Sequence, residues 1–459
     1  MSPQTYRGVV LSERSESKDD GSGAPGLPGG LHATFGPASG KPARRVRMNA
    51  PTTVLRRSCA RAFLVATSLI LSLGAVEVGM RLCHFGRLTI PAGIEHPQFH
   101  HRLKPSTTYH FSSDEFAVDV RTNRYSLRGP DPVLPKPPGV IRILMLGDSF
   151  IFGFPVRDEE TSCWLVEHRL RAEGYPVEVI NGGVSGYSPT LEYLSLRDEF
   201  LSFEPDLVVL WVDLGDVQED HWFQKNLLYD ADGRIVRCDP RYIHGRFDRW
   251  EWLKNHSLLA NYLDRKVVRT LTYIRTLGLA GYVRIVLRRE RAKAAVAKLK
   301  SETQAADLAD YDRFLLVRPS MTPERIKPYW DLTGRYLVMI RDVLAQRGIP
   351  LLVGVYPYGM VVGPNQWATG RVFWGFEPGK TYDAAPALAL LTEFTRDQRV
   401  PFINTFDSFR AAGTTTKLFY DEDGHFTPAG QQVLAEHLLR DPVFRSSLSR
   451  RAAQLRRRE

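Results

Sequence analysis

Three residues of the chain have the types and spacing needed for nucleophilic catalysis. Ser149 follows directly on the apolar run "VIRILMLGD", and His425 lies in "YDEDGHFTPAG" near the other end of the chain. A serine hydroxyl becomes a nucleophile when a neighbouring base takes its proton, and a carboxylate then holds the imidazole in the correct tautomer. The sequence therefore predicts Ser149 as nucleophile and His425 as base. Two acids, Asp423 and Glu422, precede the histidine at suitable spacing.

The elements that must position these residues are five apolar runs that alternate with helical patterns. The runs read "VIRILML", "YPVEVIN", "PDLVVLWV", "IPLLVGVYP" and "VPFINTF". The apolar run "VIRILML", which ends in Gly, is typical of a buried parallel strand. The alternation predicts an α/β fold, in which helices cover both faces of a doubly wound five-stranded parallel sheet to give three layers. Ligands of such sheets bind at the carboxyl ends of the strands, where the polar segments of this chain also lie.

Three segments resemble, in order, motif blocks of the SGNH or GDSL hydrolases, especially their membrane-anchored bacterial members. These segments are "LGDSFIFGFPVRDEET", "INGGVSGYS" and "YDEDGHFTPAG". The resemblance spans about residues 120–440 and implies the flavodoxin-like SGNH hydrolase fold. It also implies that Ser149 attacks an ester carbonyl and that His425 acts as general base and then general acid. The oxyanion would be held by the N–H groups of Ser149 and Gly186.

The third block departs from the pattern of the family. Its members place an Asn before the final Asp of this block, and that side chain serves the oxyanion hole; here "DLGD" has Gly215 at this position. Loss of one such donor typically lowers the rate about 100- to 1000-fold. The N–H of Gly215, a water molecule or Gln218 are the substitutes we consider. The phrase "DGH" resembles the acetyltransferase-like branch and favours Asp423 over Glu422 as the acid.

The N-terminal region predicts a membrane anchor. Residues 1–52 are rich in Gly, Pro, Ser and charge, a composition typical of a disordered tail, and Met48 is a hypothetical initiator within it. Residues 53–86 contain an apolar stretch, uninterrupted from Ala62 to Val76, that is slightly short for a bilayer span and is followed by Glu77, which can snorkel to the interface. A cleaved signal peptide is the alternative. Three arginines before the stretch place the following domain outside the cytoplasm, in the periplasm or beyond (Arg56, Arg57 and Arg61).

The rest of the chain divides by composition. A Pro- and His-rich lead-in segment occupies residues 87–139, and the SGNH hydrolase-like domain occupies 140–446, with a helical insertion at about 221–320. Residues 447–459 form a basic C-terminal tail. The histidines of "HPQFHH", residues 96–101, have no carboxylate at ligand spacing, which favours a surface loop over a metal site.

Composition excludes several classes of protein. The net charge of +10 comes without interleaved aromatics or a nucleic-acid motif, so no nucleic acid is expected as partner. The chain has four cysteines and no C-x-x-C pair, and no G-x-G-x-x-G follows the first strand, so we expect no metal and no cofactor. No signal indicates an oligomeric state. The sequence predicts a membrane-anchored serine esterase acting on a small-molecule or polysaccharide ester. The alternatives are an O-acetyltransferase of envelope polysaccharide and a weakly catalytic domain that binds a glycan or partner.

Overall fold

A computed structural model of the chain describes residues 52–83, 94–113, 115–240, 257–263, 312–377 and 379–456, with the single positions 253, 271, 274 and 279. The predicted N-terminal tail lies outside the described residues, apart from its last position, and so does most of the predicted helical insertion.

Five of the strands form the central sheet that the sequence predicts. In chain order the strands are β1 (Ile94–His96), β2 (His100–Arg102), β3 (Thr108–Ser112), β4 (Ala117–Arg121), β5 (Ile141–Gly147), β6 (Val177–Gly183), β7 (Leu207–Val212), β8 (Leu227–Tyr229), β9 (Ile235–Cys238), β10 (Leu351–Val355) and β11 (Phe402–Asn404). Five of them form a parallel sheet in the order β11-β10-β7-β5-β6. Every residue of β5, β7 and β10 is buried, as expected when helices cover both faces of a sheet.

Helices that pack on the central sheet form the two outer layers. In chain order, the helices of the described residues are α1 (Thr52–Leu82), α2 (Ser149–Phe152), α3 (Ser162–Ala172), α4 (Pro189–Asp198), α5 (Asp216–Phe223), α6 (Leu258–Leu263), α7 (Pro323–Ala345), α8 (Gly359–Val362), α9 (Ala385–Asp397), α10 (Phe406–Gly413), α11 (Pro428–Arg440) and α12 (Pro442–Arg456). The chain moves from β5 to β6 and then crosses back to β7, so right-handed connections put α3 and α4 on opposite faces. Helix α7 packs on α4, α5 and α9, whereas α11 packs on α3, α10 and α12. The predicted three-layer, doubly wound fold is confirmed.

The lead-in segment folds into two antiparallel hairpins, β1–β2 and β3–β4. Residues of the second hairpin form a small apolar core of their own, which Phe152 of α2 joins. The expectation that "HPQFHH" is a surface loop is wrong. These residues form the β1–β2 hairpin, and the side chain of His100 is buried against the rings of Trp222 and Phe223. Among the described residues, no group of three His, Cys, Asp or Glu side chains could hold a metal ion.

Helix α1 contains the predicted apolar span. Residues Cys59–Leu82 are long and apolar enough to cross a membrane, and they are not buried by other parts of the described chain. Glu77, predicted to snorkel to the interface, accepts hydrogen bonds from the Ser257 hydroxyl and from the N–H groups of Leu258 and Leu259 at the start of α6. Its carboxylate also pairs with Arg81 one turn later.

Helix α12 replaces the predicted tail over most of its length. The predicted boundary at residue 446 falls inside this helix. The helix continues the domain, because Leu448 and Ala452 beyond the boundary are part of the core. Arg451 is paired with the buried carboxylate of Asp206 at 2.5 Å. The described part of this region is therefore a packed helix, whose buried side chains include Leu448 and Ala452.

Candidate functional site

The turn that carries Ser149 is built from its neighbours. Asp148 caps α2, because its carboxylate accepts the N–H of Phe150 at 2.8 Å, and Ser149 is the first residue of that helix. The amide of Gln431 on α11 donates to the carbonyl of Phe150 at 2.7 Å, which ties the turn to the helix that follows His425. The chain therefore leaves β5 abruptly at the carboxyl edge of the sheet and presents the Ser149 hydroxyl there.

The three predicted reactive residues lie in hydrogen-bond contact. Ser149 Oγ is 2.8 Å from His425 Nε2, and His425 Nδ1 is 2.5 Å from Asp423 Oδ1. The same oxygen accepts the N–H of His425 at 3.2 Å, so the loop itself holds the carboxylate against the ring. A carboxylate can only accept, so Nδ1 carries the proton and Nε2 can accept the proton of Ser149. Glu422, the alternative acid, is exposed, and it is Asp423 whose carboxylate is hydrogen-bonded to the His425 ring.

Aromatic rings and charge set the environment of this relay. The rings of Phe150 and Phe154 lie 4.8 and 5.0 Å from that of His425 and limit its movement. Burial alone would raise the pKa of Asp423, but the charge and hydrogen bonds of His425 outweigh it, with a smaller effect of Arg313, and lower this pKa. Asp423 is therefore a carboxylate at neutral pH, as the orienting acid of such a relay must be.

Two of the three expected oxyanion donors, Ser149 and Gly186, have a backbone N–H that makes no hydrogen bond within the described residues. Gly186 lies in the turn between β6 and α4 with φ of +74°, a conformation that favours glycine. Within the described part of the chain, no backbone or side-chain group accepts the N–H of Ser149 or of Gly186. Both amides thus remain available to a substrate oxygen, each at the end of a neighbouring strand of the sheet.

Gly215 is not placed as expected. Its N–H donates to Asp213 Oδ1 at 2.7 Å, so this amide is already committed within the loop after β7. The backbone has ordinary helical angles, φ −79° and ψ −20°, and does not require glycine. What requires glycine is space, because a Cβ here would lie 2.6 Å from the Tyr358 hydroxyl and 2.9 Å from the carbonyl of Arg313. The expectation that the Gly215 N–H serves as donor is therefore wrong. Gln218, the other substitute from the chain, is buried on α5.

Buried acids and one arginine lie behind the nucleophile. The guanidinium of Arg313 is 3.6 Å from Asp213 and 3.9 Å from Glu219. Burial and the charge of Asp213 raise the pKa of Asp148 to about 7, although a hydrogen bond from Tyr356 and the charge of Arg313 oppose this rise. The site therefore has a positive group beside the loop in which the expected Asn is missing.

Sequence reasoning missed two residues of the lead-in segment that hold the reactive loops. The carboxylate of Glu115 accepts the N–H groups of three successive residues, at 2.5, 3.0 and 3.1 Å, in the loop that carries Asp423 (Asp421, Glu422 and Asp423). Arg128 is buried and donates to the carbonyls of Phe152, Gly153 and Val156, just after Ser149. The alternating pattern of "TYHFS" and "AVDVR" could have indicated the hairpin, but nothing local indicates these contacts.

Comparison with known proteins gives distant structural likenesses only. No protein-family model matches the chain, and no curated protein matches it. An acetyl xylan esterase structure is 13% identical, with 65% of this chain and 98% of that chain covered and a TM-score of 0.33. A catalytic mutant of the acetylxylan esterase Axe2 from Geobacillus stearothermophilus is 11% identical, with 65% and 93% covered and a TM-score of 0.32. A lipolytic protein of the G-D-S-L family from Desulfitobacterium hafniense DCB-2 is 10% identical, with 64% and 96% covered and a TM-score of 0.29. These are distant structural similarities only.

Proposed function

We propose that the chain is a membrane-anchored serine esterase that hydrolyses a carboxylic ester through an acyl-serine intermediate. The observation that carries this proposal is the unbroken relay of Ser149, His425 and Asp423, with heavy-atom distances of 2.8 and 2.5 Å. A nucleophile within hydrogen-bond reach of its base, and a base oriented by a carboxylate, is the arrangement that acyl transfer needs.

The reaction follows from this geometry. Ser149 Oγ attacks the ester carbonyl carbon while its proton passes to His425 Nε2, and Asp423 stabilises the imidazolium that forms. The carbonyl oxygen becomes an oxyanion that the N–H groups of Ser149 and Gly186 can bind. The carbon–oxygen bond to the alcohol then breaks, and His425 returns the proton to the leaving alkoxide. A water molecule, deprotonated by His425, releases the acid from the acyl-serine in the same way.

Attachment to the membrane is supported by α1. At 1.5 Å per residue, the 24 residues Cys59–Leu82 are about 36 Å long, which exceeds the hydrocarbon core of a bilayer of about 30 Å. Its large apolar side chains are exposed and need an apolar environment (among them Phe63, Leu64, Val65, Leu69, Ile70 and Leu71). Arginines before the span favour a catalytic domain on the outer side of the cytoplasmic membrane.

Reaction with a fluorophosphonate probe tests the esterase proposal. The full chain in detergent should be labelled at Ser149, and the variants Ser149→Ala and His425→Ala should lose labelling by at least about 1000-fold. Glu422→Gln is the matched control for Asp423→Asn, because the two acids are neighbours in one loop and it is Asp423 that is hydrogen-bonded to the imidazole. Of these two loop variants, Asp423→Asn should slow labelling and Glu422→Gln should not. A folded wild-type chain that does not react would reject the esterase and favour a domain that binds a glycan or partner.

A sugar acceptor distinguishes hydrolysis from transfer. If the acyl-serine is consumed by water, adding an oligosaccharide will leave the rate of acid release unchanged. An acylated sugar that forms at the expense of the free acid would replace the hydrolase by an O-acyltransferase, since both share the first half of the reaction.

A further inference from the structure

The proposed chemistry leaves one pair of side chains beside the site unexplained. His100 and His101 of β2 lie next to the turn after β6, and their Nδ1 atoms are 3.0 Å apart. His101 Nε2 is 2.8 Å from the carbonyl oxygen of Ser185. The ring of His101 also packs edge-on against that of Tyr187, and the Tyr187 hydroxyl donates to the His101 carbonyl at 3.0 Å. The imidazole of His101 therefore contacts Ser185 and Tyr187, the two residues on either side of Gly186.

The partners of these rings determine their tautomers. A carbonyl oxygen only accepts, so His101 Nε2 must carry the hydrogen. Burial lowers the pKa of His101, and burial together with the charge of His101 lowers that of His100 to about 3, so both rings are neutral at pH 7. His101 Nδ1 then accepts the hydrogen of His100 Nδ1. The remaining atom, His100 Nε2, is a bare lone pair, which agrees with its having no hydrogen-bond partner among the described residues.

The hydrogen bond to Ser185 acts on a single peptide group. The carbonyl of Ser185 and the N–H of Gly186 belong to the same planar unit, so fixing the direction of one fixes the other. A donor at the oxygen also polarises the N–H and makes it a stronger donor. A Cβ at Gly186 would lie 3.4 Å from His101 Nε2, so the imidazole sits directly against this residue.

We propose that His101 is a positioning residue that orients and polarises the Ser185–Gly186 peptide, so that the Gly186 N–H binds the oxyanion. The chain of donors runs from His100 Nδ1 to His101, from His101 Nε2 to the Ser185 oxygen, and from the Gly186 nitrogen to the substrate. The proposal rests on the proposed esterase function. It gives the lead-in segment a direct effect on transition-state stabilisation in a site that lacks the expected Asn donor.

Paired substitutions test the role. His101→Phe keeps a planar ring but no donor, and His101→Gln keeps an N–H donor at the end of the side chain. We expect His101→Phe to lower kcat and the rate of fluorophosphonate labelling by about 10- to 100-fold with little change in KM, since the oxyanion exists only in the transition state. His101→Gln should recover most of this loss. His168→Phe, an exposed histidine on α3, is the control and should leave kcat unchanged.

Crystal structures of the wild type and His101→Phe make the outcome independent of activity. The proposal expects the Ser185–Gly186 peptide to rotate in the variant. A peptide that keeps its direction in His101→Phe, or a His101→Gln chain as slow as His101→Phe at equal Tm, overturns the positioning role even if the esterase is active. A wild-type chain inert to ester and probe overturns the esterase itself, whatever the peptide does.

Discussion

Replacing Gly215 by Asn, the residue that the resembled motif has at this position, should not restore an oxyanion donor. The backbone at Gly215 suits any residue, so the new side chain meets no conformational obstacle. The new side chain does clash with its neighbours, because its Cβ would lie 2.6 Å from the Tyr358 hydroxyl and 2.9 Å from the Arg313 carbonyl. We therefore expect Gly215→Asn to be less stable than the wild type and no more active.

The size of the effect follows from these contacts. The Cβ–Tyr358 distance is 0.8 Å below the 3.4 Å at which ordinary contact begins, so the buried Tyr358 must move. Overpacking of this kind costs about 1–3 kcal/mol. The Tyr358 hydroxyl also donates to the buried carboxylate of Asp213, and loss of that bond adds about 1–3 kcal/mol. At about 2 °C per kcal/mol for a domain of this size, Tm should fall by roughly 4–12 °C.

The Tm and the rate of ester hydrolysis of four variants test this prediction, and Gly215→Asn is the first of them. Gly215→Ala introduces the same Cβ without an amide, so it should show much of the loss in Tm. Tyr358→Phe removes the hydroxyl that the Cβ meets. The double variant Gly215→Ala/Tyr358→Phe should lose less than the sum of the single changes, because the two share one contact.

An opposite result would reject this explanation of the glycine. If Gly215→Asn unfolds at the wild-type temperature and raises kcat tenfold or more, the amide has reached the oxyanion. The space above Gly215 would then be open, and the missing Asn would be a simple loss of catalytic power.

Three further predictions concern the loop of the acid, the buried acids and the anchor. Glu115→Ala should lower kcat by about 10- to 100-fold by loosening the loop that carries Asp423, and Glu115→Gln, which keeps an acceptor oxygen, should lower it less; equal rates of ester hydrolysis would contradict this. Because the pKa of Asp148 is raised to about 7, the folded chain binds this proton more tightly than the unfolded chain, and stability is lost as pH rises from about 4 to above 7. Denaturant unfolding should show a loss to which Asp148 contributes up to about 4 kcal/mol, so Asp148→Asn should make the pH slope shallower, and an unchanged slope in the variant would exclude Asp148 as a source. In intact cells, a membrane-impermeant maleimide should label the exposed Cys83 but not Cys59, and the reverse pattern would invert the proposed topology.

The sequence alone was sufficient to predict the central sheet and the edge of the sheet at which the reactive residues lie. Apolar runs such as "ILML" and "LVVLWV" are buried on both sides when a sheet lies between two helical layers, so strand positions and fold class follow from local pattern. Because parallel strands end at a common edge, Ser149 and His425 could be predicted to meet although 276 positions separate them.

The sequence did not predict what surrounds the reactive groups, since those contacts join distant segments. The room above Gly215 is filled by Tyr358 and by the Arg313 carbonyl, and no local spacing relates either to the loop after β7. The same holds for His101 and Ser185, which are 84 positions apart. A missing residue in a motif can be read from sequence, but what takes its space depends on tertiary packing.

These long-range contacts join residues that precede the predicted domain start at residue 140 to the reactive loops that follow it. Each loop that carries a reactive group is held by one residue that precedes this position. Arg128 binds the carbonyls that follow Ser149, Glu115 binds the amides of the Asp423 loop, and His101 binds the peptide of Gly186. Preorganised donors and acceptors act in catalysis only when their directions are fixed before the substrate arrives. The lead-in segment is therefore part of the site, and it also joins the predicted anchor to the residues that would stabilise the transition state.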